Sequence, residues 1–221
     1  MDILLPLLAG LTLGCIHAFD VDHIVAVTAF ASRRPNARSA AKFGLFWGLG
    51  HTATLVVLGA VSVALRFVIP PLVESAAEIL VGILLIAIGV WVLRGHVQRK
   101  KLHIHTHTHD GVEHVHLHSH AHNESHNHTH SMFWVGATHG FAGTAAVMVM
   151  IPVAITQSIL GALLYLLLFG IGTILAMSMF AFTIGTIAGK AQSQHTLAWF
   201  QLASGVASIV IGFIWVGAKV F

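Results

Sequence analysis

Charged residues are scarce in this chain of 221 residues. Lys, Arg, Asp and Glu together make up 9% of it, whereas soluble domains carry about 25%. Hydrophobic residues reach 56% and the mean hydropathy is +0.84. So little charge excludes an ordinary soluble domain and predicts a polytopic protein embedded in a lipid bilayer.

Several motifs are also missing. Cys15 is the single cysteine, so no disulfide can form within the chain. The sequence has no Gly-x4-Gly-Lys-Ser/Thr loop and no His-Glu-x-x-His motif, which excludes a P-loop ATPase and a zinc protease of that type. The basic residues flank apolar runs and report topology, so we expect no nucleic-acid partner. We also expect no enzyme activity, no cofactor and no cleavable signal peptide.

Six apolar runs approach or exceed the length of about 20 residues that crosses a bilayer. They are residues 3–30, 43–65, 75–93, 132–156, 159–187 and 196–216. The first run is long enough to be broken near His17. The runs predict an all-α protein of six transmembrane helices, with three in residues 1–95, a histidine-rich linker over 96–131, and three in residues 132–221.

The basic residues predict the orientation of these helices. Nine of them fall in connections that six spans would place on one side: Arg33, Arg34, Arg38, Lys42, Arg94, Arg99, Lys100, Lys101 and Lys190. Arg66 and Lys219 fall on the other side. The positive-inside rule places the larger group in the cytoplasm. We therefore expect a cell-membrane protein (inner or plasma membrane) with both termini outside and the histidine-rich linker in the cytoplasm.

The two halves of the sequence resemble each other. Gly14-Cys-Ile-His17-Ala-Phe19 recurs 122 residues later as Gly136-Ala-Thr-His139-Gly-Phe141, and Gly48-Leu-Gly50 recurs at the same offset as Gly170-Ile-Gly172. Gly82 and Gly89 recur as Gly205 and Gly212. With three spans each, the halves would have opposite orientations, as in inverted-repeat transporters whose substrate site lies near the membrane midplane. Helix packing through small residues is the alternative explanation of the glycines.

Four ionisable residues interrupt the first span: His17, Asp20, Asp22 and His23. One such side chain at the bilayer centre costs about 2.5–3.5 kcal/mol on insertion scales. Histidine with carboxylate is a ligand set for divalent transition metals, so the group predicts a metal site. On a straight helix Asp22 points about 100° away from His23, so either Asp22 has another role or the helix is unwound. A buried polar network without metal is the alternative interpretation.

Two more histidines lie in spans that can approach the first one. His51 belongs to the second span and His139 to the fourth, and both segments contain glycine. A lone histidine within a membrane is also often a hydrogen-bonded helix contact. We predict that the metal transport site draws on His17, Asp20, Asp22, His23, His51 and His139. The sequence leaves open whether Asp20 or Asp22 is the direct ligand.

The linker is rich in histidine. Twelve of the residues from 103 to 130 are histidines: His103, His105, His107, His109, His114, His116, His118, His120, His122, His126, His128 and His130. Alternate side chains of an extended chain share one face, so several imidazoles can reach one ion, and most imidazoles are uncharged at neutral pH. The low-complexity composition predicts a disordered segment that buffers, senses or donates metal. A solvated spacer is the alternative.

The first motif carries a family resemblance. His17-Ala-Phe-Asp-Val-Asp-His-Ile24 resembles the His-x4-Asp-His signature of the NiCoT nickel/cobalt permeases, and Leu49-Gly-His51-Thr is similar to their second motif. The resemblance covers residues 14–58 and implies that His17, Asp22 and His23 are essential to transport, with His51 contributing. Ile16 stands where the family usually has arginine. His139-Gly-Phe-Ala-Gly-Thr144 stands in place of its later Gly-Phe-Asp-Thr type motif.

The number of spans indicates which branch of the family the chain resembles. The permeases have eight helices, whereas this chain has six predicted spans. It is therefore more similar to the compact six-helix relatives, which include urease-accessory membrane proteins and nickel/cobalt efflux proteins. The resulting hypothesis is a secondary transporter that carries nickel(II), and also cobalt(II), as a substrate. Uptake is favoured over efflux, and a membrane metalloenzyme or a metal sensor is the rival. The resemblance also implies cytoplasmic partners, namely nickel chaperones or urease and hydrogenase maturation proteins.

Overall fold

The computed structural model describes residues 4–33, 36–65, 70–99, 104–109, 112–117, 129–141, 158–190 and 194–220. These residues form seven helices and one pair of strands. In chain order they are α1 (Leu4–His17), α2 (Val21–Ala31), α3 (Ala37–Leu65), α4 (Pro71–Arg99), β1 (Ile104–His109), β2 (Val112–Leu117), α5 (Thr129–His139), α6 (Ile159–Lys190) and α7 (Gln194–Val220).

Four of the described helices, α3, α4, α6 and α7, are long and apolar enough to cross a membrane. The predicted spans 43–65, 75–93, 159–187 and 196–216 lie within them, so the prediction of a multi-pass helical membrane protein is confirmed. Helices α1 and α2 meet at 58° and form a fifth candidate span if taken together. The predicted span 132–156 lies mostly outside the described residues, so the sixth span stays a prediction.

The first span is broken between His17 and Val21. The last turn of α1 tightens, because Phe19 N donates to Ile16 O at 2.9 Å and Asp20 N donates to His17 O at 3.0 Å. Asp20 then has an extended conformation, with ψ at 148°. Its carbonyl oxygen nevertheless accepts the first hydrogen bond of α2, from Ile24 N at 2.9 Å. The chain therefore turns at Asp20 and starts a new helix.

The C-terminal end of α2 is anchored to two long helices. Gln201 Nε2, on α7, donates a hydrogen bond to Ser32 O at 3.0 Å. The Arg33 guanidinium lies 3.9 Å from the ring centroid of Trp91 on α4 and donates to the carbonyl oxygen of the same residue at 3.2 Å. Apolar side chains of α2, α3 and α4, with Ala181 of α6, form the largest buried cluster. These contacts hold the C-terminal end of α2 against α4 and α7.

The helices approach one another at glycines, and the contacts occur in matched pairs. A Cβ added at Gly14 would collide with the carbonyl oxygen of Phe169, and one added at Gly136 would collide with that of Trp47. These two contacts involve positions 122 residues apart. The pairs Gly50–Phe133 and Gly172–Leu11 are related by the same offset. Helices α4 and α7 cross with Gly82 against Gly212 and Gly89 against Gly205, which is an antiparallel crossing.

Part of the linker is ordered where the sequence predicted disorder, since residues 104–109 and 112–117 form strands, and the all-α description applies to the helices alone. Strands β1 and β2 pair antiparallel, with His105 opposite His116 and His107 opposite His114. The alternation of histidine with β-branched residues in β1 is a strand pattern. Of the predicted linker ligands, His103, His118, His120, His122, His126 and His128 lie outside the described residues.

Candidate metal centre

The break in the first span brings side chains from four helices together. His17 ends α1, Asp22 and His23 occupy the first turn of α2, His51 lies within α3, and His139 ends α5. All five side chains are buried, and the four imidazoles are at most 2% exposed. Asp22 and His23 are successive residues of α2, and the Asp22 carboxylate lies between the imidazoles of His23 and His139.

His23 occupies the middle of this cluster. Its ring centroid lies 4.8 Å from that of His17, 4.7 Å from that of His51 and 4.6 Å from that of His139. His51 and His139 are farther from each other, at 6.1 Å. The other three imidazoles therefore surround that of His23.

Both aspartates of the motif contact histidines. Asp22 Oδ1 lies 3.1 Å from His23 Nδ1, and Asp22 Oδ2 lies 3.0 Å from His139 Nε2. Asp20, with its side chain 34% exposed, places Oδ2 at 2.9 Å from His17 Nδ1. The other nitrogen of that ring, Nε2, lies 3.0 Å from His51 Nε2. One hydrogen-bonded chain thus runs from Asp20 to His51, and another joins His23 to His139.

Two overlapping groups of residues in the described part of the chain could hold a metal ion. The first is His17, His23 and His51; the second is Asp22, His23 and His139. Within each group, the ligand atoms lie within 4.8 Å of one another. Asp20 belongs to neither group. The cluster offers one set of three imidazoles and one mixed set, and either suits a divalent transition metal such as nickel, cobalt or zinc.

Aromatic side chains that the sequence analysis did not select flank the cluster. The Trp47 ring lies 5.5 Å from the His139 ring and 5.2 Å from that of Phe43. Likewise, the Phe169 ring lies 5.3 Å from the His17 ring and 6.2 Å from that of Tyr165. The offset of 122 residues that relates the glycines also relates Phe43 to Tyr165 and Trp47 to Phe169. The internal repeat could therefore have identified these aromatic residues from the sequence.

Known proteins resemble the chain over most of its length. The family described as the cytochrome C biogenesis protein transmembrane region matches residues 23–214. The urease accessory protein UreH of Bacillus sp. (strain TB-90) is 32% identical over 215 residues, which cover 96% of this chain and 90% of the relative.

A plant protein is similar at a lower level. The chloroplast protein FOR GROWTH AND FERTILITY 1 of Arabidopsis thaliana is 24% identical over 179 residues, which cover 80% of this chain and 48% of that protein. The chain thus spans about half the length of this relative. No solved structure matches the chain.

Proposed function

The chain belongs to the membrane-protein family described as the cytochrome C biogenesis protein transmembrane region, and to the family of the urease accessory protein UreH, and on that basis we propose that it is a secondary transporter of nickel(II) and cobalt(II). The proposal depends above all on the buried cluster of four histidines and Asp22 at the break between α1 and α2. Ionisable groups inside membrane segments are costly, and they mark ion pathways.

The ligand chemistry favours a divalent transition metal, and the relatives point to nickel and cobalt among these metals. Magnesium and calcium prefer oxygen ligands, and copper(I) prefers thiolate or thioether, whereas imidazole suits nickel as well as zinc and iron. The single cysteine does not join the cluster: Cys15 Sγ lies 3.6 Å from Gly172 O, on α6. A urease accessory protein is among the relatives, and urease works with nickel. The resemblance of the first motif to the NiCoT permeases supports the same substrates, and uptake as the direction.

An inverted repeat accounts for how the ion would cross. The matched contacts at Gly14 and Gly136, and the antiparallel crossing of α4 and α7, have the pattern expected when two three-helix halves are related by an axis in the membrane plane. In such transporters the halves rock about a fixed central site. In the proposed topology the chain has six spans, both termini lie outside, and the linker lies in the cytoplasm. Nickel chaperones or urease maturation proteins would receive the ion there.

Flux into sealed vesicles tests the proposal. The protein is reconstituted in proteoliposomes of defined sidedness, and the entry of radioactive nickel, cobalt or zinc is measured against protein-free vesicles. We expect protein-dependent entry of nickel and cobalt. Vesicles with correctly folded protein that accumulate neither metal, from either side, would contradict the transport proposal and favour a metal-binding or enzymatic role.

The linker is proposed as a metal buffer outside the pathway, which gives a second prediction. Replacing residues 103–128 with a Gly/Ser segment of equal length leaves α5 intact and should preserve nickel flux at saturating metal. Flux at limiting nickel and the number of ions bound at equilibrium should fall, because the histidines that collect the ion are gone. Both quantities are measured on the same vesicle preparation.

A matched variant separates the loss of histidine from the loss of the linker sequence. It carries asparagine at each histidine from 103 to 128 and keeps all other residues. We expect it to behave as the Gly/Ser variant does. If either variant loses flux at saturating nickel while it remains folded, the linker is part of the pathway and its assignment as a buffer is incorrect.

A further inference from the structure

Both aspartates of the motif face histidine nitrogens, which suggests a role other than direct binding. We propose that Asp20 and Asp22 are positioning residues that determine which ring nitrogen of each histidine carries the proton. The cation is then held by imidazole nitrogens of His17, His23 and His51. The inference builds on the proposed transport function, because the cation is the substrate of that transporter.

Asp22 determines the tautomer of His23. A carboxylate accepts hydrogen bonds and cannot donate them, so His23 Nδ1, at 3.1 Å from Asp22 Oδ1, must carry a proton. In a neutral imidazole the other nitrogen then presents a lone pair. That atom, His23 Nε2, is buried and has no hydrogen-bond partner among the described residues. A buried acceptor without a donor is unfavourable, and a bound cation would supply the missing partner.

Asp20 acts on His17 in the same way. His17 Nδ1 donates to Asp20 Oδ2 at 2.9 Å, so His17 Nε2 presents its lone pair toward His51 Nε2, at 3.0 Å. His51 Nε2 must then carry the proton of that contact. His51 Nδ1 is buried without a partner in the described part of the chain, so it is the atom that would carry the proton in the tautomer that binds the ion through Nε2. All three Nε2 atoms are then available, and no net proton has to leave the cluster.

The second group is less suited to hold the ion. Both oxygens of Asp22 already accept hydrogen bonds, one from His23 Nδ1 and one from His139 Nε2. Binding of a cation to Asp22 would have to break at least one of them. A carboxylate that orients a metal-binding histidine is a common arrangement, and removing it costs about 10–100-fold in metal affinity. The hydrogen bonds therefore place Asp22 behind the ligands, where it joins α2 to α5.

Histidine tautomers can be measured directly, without metal and without transport. The full-length chain, with the linker histidines changed to asparagine to simplify the spectrum, is labelled with ¹⁵N-histidine and studied by NMR in nanodiscs. We expect His17 and His23 to be protonated at Nδ1. Asp20→Ala should change the tautomer of His17, whereas Asp20→Asn should preserve it, because the amide oxygen can accept the same hydrogen bond.

Nickel binding gives the second measurement. In Asp20→Ala the dissociation constant for nickel should rise about 10–100-fold, and Asp20→Asn should remain close to the unsubstituted protein. X-ray absorption at the nickel edge should count three imidazoles in all of these proteins and two in His23→Ala. Asp22→Asn offers one acceptor in place of two, so either His23 or His139 should change tautomer while the imidazole count is kept.

Two results would overturn the assignment. One is an equal loss of affinity in Asp20→Asn and Asp20→Ala; the other is His17 or His23 protonated at Nε2 in the metal-free protein. If the tautomers and the imidazole count are as expected but vesicles carry no nickel, the positioning role is supported and the transport proposal alone fails. The two failures are thus distinguishable.

Discussion

His23→Ala is expected to abolish nickel flux. His23 belongs to both candidate metal groups and has the most central imidazole of the cluster, so its removal disables both groups at once. Loss of a residue that merely supports a ligand costs about 10–100-fold in affinity or activity, and loss of a shared ligand should cost more. Nickel flux in proteoliposomes and equilibrium nickel binding, both with the linker histidines changed to asparagine, provide the measurement.

The matched control is His96→Ala, which removes a histidine from α4, a helix that contributes no residue to either candidate group. That variant should retain flux. Each protein is compared at equal amounts in the vesicles after gel filtration in detergent, because removing a buried side chain can also destabilise the fold. A correctly folded His17/His23 double alanine variant that still transports nickel at the unsubstituted rate would disprove the site.

Alanine at Gly14 or Gly136 should destabilise the fold strongly. An added Cβ would collide with the carbonyl oxygen of Phe169 in the first case and of Trp47 in the second, and backbone cannot move aside as a side chain can. Overpacking typically costs about 1–3 kcal/mol, which exceeds the gain of about 1 kcal/mol in helix propensity from Gly to Ala. Thermal unfolding in detergent should show a lower midpoint for both variants.

Gly217→Ala is the control for these substitutions. Gly217 lies in α7, and a Cβ added there would have no neighbour within 4 Å. The same change of residue should therefore leave the unfolding midpoint unchanged or raise it slightly through helix propensity. If Gly14→Ala and Gly136→Ala unfold at the same temperature as Gly217→Ala, the helices do not approach as closely as described.

Much of the helical framework could be predicted from apolar run lengths, since a bilayer dictates how long a span must be. The break near His17 was also predictable, because four ionisable residues in one span need a cavity or partners. The position of Asp22 was not: it depends on the break at Asp20, which sets the direction of α2, and on the packing that brings His139 to within 3.0 Å of the Asp22 carboxylate. Dihedral angles at one residue cannot be derived from spacing.

The aromatic residues beside the cluster and the strands of the linker were also not predicted. The aromatic residues beside the cluster, Trp47 and Phe169, look like ordinary apolar residues in apolar spans, and only the internal repeat connects them. In the linker, composition predicts disorder, while the alternation of histidine with β-branched residues favours strands. The alternation and the composition thus predict different structures, and residues 104–109 and 112–117 form strands.

The sharing of His23 between both metal groups has an energetic consequence. Because His23 Nδ1 donates to Asp22 Oδ1, its neutral imidazole offers one lone pair, and the proposed transporter would carry one divalent ion, with two charges, in each cycle. A membrane potential of 100 mV contributes about 2.3 kcal/mol per charge, or about 4.6 kcal/mol for the ion. If no other ion moves, a cell with a negative interior could concentrate nickel roughly 2,000-fold by electrophoretic uptake, without ATP or a proton gradient.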